Sequence, residues 1–250
     1  MKKILILATL ALLPILAQGQ AKVYTKRVLL EDFPTSTVKV VLSSESPLEL
    51  ALKAEITSRW RVSSFEFCSV EEYSRLSADN SLYFLRLVTQ DAVVFLSLDK
   101  GGKEDDPDRA RRPLNVVMLP ISSSAMMTGD ETVLMTAFLD IVQDFAMKAI
   151  ESDRVGYSGL AAFNLESLEG KTVYLDSDRA AEAFAREEEN ALVPVIIVPE
   201  NGSTFHKMLI SADTHELFYY AKGKINGKTE DGFSKVEIKL FEKRRANIVG

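Results

Sequence analysis

Val38-Lys39-Val40-Val41-Leu42-Ser43-Ser44-Glu45-Ser46-Pro47 is the stretch from which the fold is read. Its first five residues are rich in β-branched side chains and read as a strand. Ser43 to Ser46 turn the chain, and Pro47 suits the first helical position with Ser46 as its cap. Leu48, Leu52 and Ile56 then recur every four residues, which makes one face of the following helix apolar. A strand feeding a capped amphipathic helix is the opening unit of an α/β fold.

The same grammar continues along the chain. Arg61 to Cys68 reads as a second strand, and Ser69 with Glu72 is a capping-box pattern opening a short helix. Leu82–Val88 and Ala92–Leu98 flank Thr89-Gln90-Asp91 as a β-hairpin, and Asn115–Leu119 is a further short strand. Glu131–Ile150 reads as the longest helix, with Leu134, Phe138, Ile141, Phe145 and Ala149 on one face and Asp140, Gln143 and Asp144 on another. Thr172–Leu175 is a strand, and Asp176-Ser177-Asp178 caps a helix that runs to about Glu188. Val193–Val198 reads as a buried strand, Lys207–Ala212 and Glu216–Lys222 as a second hairpin, and Lys235–Phe241 as a last strand.

Val173-Tyr174-Leu175 and its capped helix resemble Val40-Val41-Leu42 and theirs, and the hairpin at 83–98 has the layout of 206–221. The expected fold class is therefore α/β: a mixed sheet with helices, built as two β-α-β-hairpin halves bridged by the long helix. The expected boundaries are 1–19 for a leader, 20–155 for the first half with the long helix, and 156–250 for the second. No Gly/Ser/Pro-rich linker separates the halves, which favours one continuous unit.

The chain has 250 residues, 46% hydrophobic and 26% charged, the balance of a globular protein. A net charge of −6 argues against a nucleic-acid partner. Met1-Lys2-Lys3, an apolar run from Ile4 to Ala17 and the small-x-small Ala17-Gln18-Gly19 form the three parts of a secretory signal. The run would span about 21 Å as a helix, short of the ~30 Å hydrocarbon core. The expectation is cleavage near Gly19, a periplasmic or secreted mature protein, and no integral membrane segment after cleavage.

A single Cys excludes a disulfide scaffold within the chain, and Cys68 reads as a buried, inert thiol, with an intermolecular disulfide or a nucleophile as the alternatives. With two His there is no convincing ligand set for a structural zinc, so no metal and no cofactor is expected. Ser43, Ser44 and Ser46 sit where a helix N-terminus follows a strand, a place that can hold phosphate or carboxylate. No glycine-rich cradle accompanies them, and ordinary capping is the better explanation. Asp213-Thr214-His215-Glu216 gathers two carboxylates and an imidazole, but in a hairpin turn that is expected to face solvent. Asp105, Asp106 and Asp108 precede Arg109, Arg111 and Arg112 in a charge-segregated loop, read first as a solvated, mobile loop and second as a docking loop for a partner. No serine elbow, H-E-x-x-H pair or C-x-x-C motif occurs.

Trp60-Arg61-Val62-Ser63-Ser64-Phe65-Glu66-Phe67, then Glu71-Glu72-Tyr73 and Tyr83-Phe84-Leu85, together with the leader, resemble uncharacterised exported proteins of Bacteroidetes-type bacteria over roughly residues 38–98. The β-α-β plan is also similar to small α/β domains of envelope proteins such as the TolB N-terminal domain. That likeness concerns the fold and implies no active site. The expected function is that of a non-enzymatic exported protein, binding a partner or ligand in envelope assembly or maintenance. The alternative is an envelope hydrolase or transferase with dispersed catalytic carboxylates.

Overall fold

The computed structural model describes residues 26–43, 46–102, 114–124, 129–165, 167–227, 229 and 231–250. After a short helix α1 (Lys26–Leu30) and a 3-10 turn at Phe33–Thr35, the first half runs β1 (Thr37–Leu42), α2 (Pro47–Arg59), β2 (Ser64–Ser69), α3 (Val70–Leu76), β3 (Leu82–Gln90), β4 (Val93–Lys100) and β5 (Leu114–Ser123). Its sheet has the order β2-β1-β3-β4-β5. β1 is parallel to β2 and to β3, whereas β3-β4 and β4-β5 are antiparallel. The Ser46 hydroxyl accepts from Glu49 N–H, and Leu48, Leu52 and Ile56 are buried, as the spacing requires. The full Ser69/Glu72 capping box opens α3. The hairpin turn sits at Asp91-Ala92, where both residues have positive φ (52° and 59°), as a two-residue turn matched to strand twist requires.

The bridge is broken where one helix was expected over Glu131–Ile150. A single turn, α4 (Asp130–Val133), ends at Leu134, and α5 (Met135–Glu151) starts afresh. Buried Glu131 accepts from the Ser122 hydroxyl at the end of β5 and from Gly129 N–H, which ties this turn to the sheet. Two further segments follow, α6 (Asp153–Ser158) and a 3-10 stretch Gly159–Leu165.

The second half runs β6 (Thr172–Tyr174), α7 (Ser177–Ala185), β7 (Ala191–Ile197), β8 (Thr204–Ser211), β9 (Leu217–Lys224), α8 (Lys235–Lys243) and β10 (Asn247–Val249), in the sheet order β10-β6-β7-β8-β9. β10 and β7 flank β6 in parallel, and β7-β8 and β8-β9 are antiparallel. This is the pairing pattern of the first sheet with one rearrangement. The parallel edge strand comes early in the first half, as β2, and last in the second, as β10. Pro194 is accommodated inside β7 because β6 pairs only with Ala191 and Leu192, so that side of the strand is open where the proline lies.

Lys235–Phe241 is therefore not a strand. Val236, Ile238 and Leu240 alternate, but Ser234 and Glu237 form a complete capping box and Phe241 is the residue that reaches the core. One large cluster takes side chains from both sheets, from α2, α5 and α7, and from the 3-10 stretch. Two smaller clusters lie under α3 and under α8. Among the described residues, no helix is long and apolar enough to cross a membrane.

Candidate functional site

Ser43 and Ser46 do stand at the β1–α2 turn, but their hydrogen bonds are turned inward. Ser43 donates from its backbone N–H (3.1 Å) and its hydroxyl (2.6 Å) to one oxygen of Glu49, a buried residue, and the Ser46 hydroxyl caps the helix. The place a bound anion would take is held by the chain's own carboxylate. Ser44 lies outside the described residues, as do Asp105, Asp106, Asp108, Arg109, Arg111 and Arg112.

The two histidines are buried rather than presented to solvent. His206 of β8 packs edge-on against Phe95 of the first sheet (ring centroids 5.4 Å) and its Nδ1 lies 3.0 Å from the Tyr220 hydroxyl. Burial, with a smaller push from Lys222, holds its pKa down at about 4. His215, expected in an exposed turn, is folded back in the left-handed conformation (φ 59°) and is 7% exposed. It stacks on Phe184, and its Nδ1 donates to Asp140 of α5 at 2.7 Å. Asp140 is also 3.4 Å from Arg59, and Gln143 accepts from Arg61 N–H. The polar stripe expected on the long helix is thus a seam holding α2, α5 and the β8–β9 turn together. A third polar cluster fastens α8: buried Lys207 pairs with Glu237 (3.1 Å), which also accepts from Tyr219 and Ser234. Burial pushes the Glu237 carboxyl up, but the Ser234 and Lys207 hydrogen bonds outweigh it and leave it below the ordinary range. Among the described residues no group of three metal-ligating side chains assembles.

The four sheet edges differ in a way the linear sequence does not display. β10 is three residues long. β9 ends in Lys222 and Lys224, and its backbone at Tyr220 is already bonded on both sides by the Asn164 amide: Asn164 Nδ2 donates to Tyr220 C=O (2.8 Å) and Oδ1 accepts from Tyr220 N–H (2.7 Å). β5 carries Pro120 and packs against α5 and β7. Short length, charge, proline and coverage are the usual protections of an edge. Among the described residues β2 is the least protected. It is six residues of Ser64-Phe65-Glu66-Phe67-Cys68-Ser69, paired there only with β1, without Lys or Pro, and its one charge, Glu66, is matched by Lys39 of β1.

Exposed apolar side chains flank that edge on both faces of the sheet. Phe67 is 42% exposed, and Val70, at the start of α3, 46%. Register places Phe67 next to Val40 on the face covered by α2, and the Lys53 ammonium of α2 sits 5.9 Å from its ring. Leu50, one helical turn before Lys53, is 52% exposed. On the opposite face Cys68 is buried against Val41 and Phe84, and burial raises its thiol pKa. Of the neighbouring Phe65/Phe67 pair, Phe65 packs against the main cluster and Phe67 lies at this margin. Comparison of the chain with protein-family models, curated proteins and solved structures finds no match.

Proposed function

We propose that this is an exported envelope protein that works without catalysis, by binding an extended segment of a protein partner along the free edge of β2. This least protected edge, next to Phe67, Val70 and Leu50, carries the reading. Strand addition would supply backbone hydrogen bonds along six residues, and the exposed apolar side chains would supply selectivity. The leader pattern at residues 1–19 supports export. Polar residues of the sort that serve catalysis, His215 and Asp140 included, are engaged in joining one element to another.

A photo-crosslinking residue placed at Phe67, and in a second variant at exposed Glu187 of the other half, tests the reading in the native envelope. The expected result is an adduct of discrete mass from position 67 and none from position 187. A folded, exported position-67 variant that yields no adduct overturns it. Phe67→Glu is expected to abolish capture from a wild-type tag without lowering the Tm, since the ring is near half exposed.

A further inference from the structure

Among the described residues, the outward face of α8 is a strongly basic surface element that the partner reading leaves unused. At about 100° per residue, Lys235, Lys239, Lys243, Val236 and Leu240 fall within an arc of about 140°. Ile238 and Phe241 face the other way, into the cluster under α8, and Glu237 is drawn inward to Lys207. Val236 is 78% exposed and Leu240 40%, and the three lysines are exposed. The remaining acid of the helix, exposed Glu242, falls about 20° beyond the Lys235 edge of the arc, and Arg245 past the helix end is paired with Glu169. Three lysines and two aliphatic side chains share one convex face in a chain whose net charge is −6.

We infer that this face seats the protein on an anionic lipid surface. An interfacial helix presents this combination: lysines that reach to headgroups while their stems and neighbouring aliphatic side chains enter the boundary region. The composition is wrong for a protein interface. Such interfaces are anchored by Trp, Tyr and Arg and are depleted of Lys, whereas the arc has lysines and no aromatic residue. Each lysine near an anionic surface contributes roughly a fivefold gain in partition, so the three together give about a hundredfold. The attachment is reversible and weakens with salt. It would hold the β2 edge at the membrane, but it does not depend on that edge binding anything.

The test is flotation of the full chain with vesicles of equal parts phosphatidylglycerol and phosphatidylcholine, against phosphatidylcholine alone. The leader carries Lys2 and Lys3, so K2Q/K3Q is introduced in every variant compared, and the quantity read is the excess on anionic vesicles. The expected excess is abolished by high salt and falls about a hundredfold in K235Q/K239Q/K243Q. V236S/L240S is expected to weaken binding while keeping its salt dependence. No excess on anionic vesicles, or an excess that the triple variant keeps, overturns the assignment. Retention on polyglutamate without flotation overturns it in favour of an acidic protein. Far-UV circular dichroism of each variant separates loss of binding from loss of fold, because none of the five side chains belongs to the core.

Discussion

His206 is neutral in the fold because it is buried between Phe95 and Tyr220, and this has a measurable cost in acid. Its folded pKa is about 4 against an ordinary 6.5. Above the upper value both folded and unfolded chains carry it neutral, and it contributes nothing to pH dependence. As pH falls from 6.5 to 4 the unfolded chain takes up a proton that the folded chain refuses, so stability drops by up to about 3 kcal/mol and then levels. Urea denaturation across that window should show the slope, and His206→Gln should flatten it. Glu237 acts in a lower window: its depressed carboxyl stabilises the fold above the ordinary value and loses that contribution as pH falls through the folded one. The buried Lys207–Glu237 pair should not tolerate loss of one partner. Lys207→Met leaves a buried carboxylate without its cation and is expected to cost about 3–5 kcal/mol in urea denaturation. At the His215–Asp140 contact, a double-mutant cycle with His215→Ala and Asp140→Asn should return a coupling of about 1–3 kcal/mol. A coupling near zero would mean that stacking on Phe184, rather than the Asp140 contact, holds His215 in the seam.

Helix starts follow short-range chemistry, at Ser69 as the sequence predicts and at Ser234 against the predicted strand, and both give direct tests. Ser69→Ala removes the α3 capping box and should cost about 1 kcal/mol by thermal melting. Ser234→Ala should cost more, because Glu237 completes both that cap and the ion pair with Lys207. Asn164→Ala strips the amide from the Tyr220 backbone of β9; the expected outcome is about 1–3 kcal/mol of destabilisation and faster light-scattering growth on warming, since a second edge becomes open. The element misread, Lys235–Phe241, shows why alternation misleads. Val236 and Leu240 are apolar at alternate positions but point to solvent, and the cap at Ser234 outweighs the pattern. The long helix was read through Leu134 because nothing in the local sequence marks the break. The anchor for α4 is Ser122, on a strand nine residues away.

At the scale of the whole molecule, the two halves are quasi-equivalent in sheet order but share one principal cluster of buried side chains. Asp91 at the first hairpin turn accepts from both the backbone (2.9 Å) and the hydroxyl (2.7 Å) of Ser203, in the second half. Unfolding should therefore be one transition. Trp60, the single tryptophan, lies in the first half, and its fluorescence should change at the same denaturant concentration as far-UV circular dichroism. Two separated transitions would show that the halves fold apart.

Local chemistry along the chain was enough for the α/β class, for most strands, for the caps at Ser46, Ser69 and Asp176, and for the likeness between the halves, because each rests on residues within a few positions of one another. It was not enough for the exchange of edge strand between β2 and β10, for the burial of His215, or for the open edge of β2. Those depend on residues far apart in the chain. His215 is buried because Asp140, 75 positions away, receives its N–H, and β9 is closed because Asn164, 56 positions before Tyr220, occupies its backbone. An edge strand and a central strand can have the same composition. What distinguishes them is whether a second strand, a helix or a side-chain amide takes up their outer hydrogen bonds, and that is a property of packing.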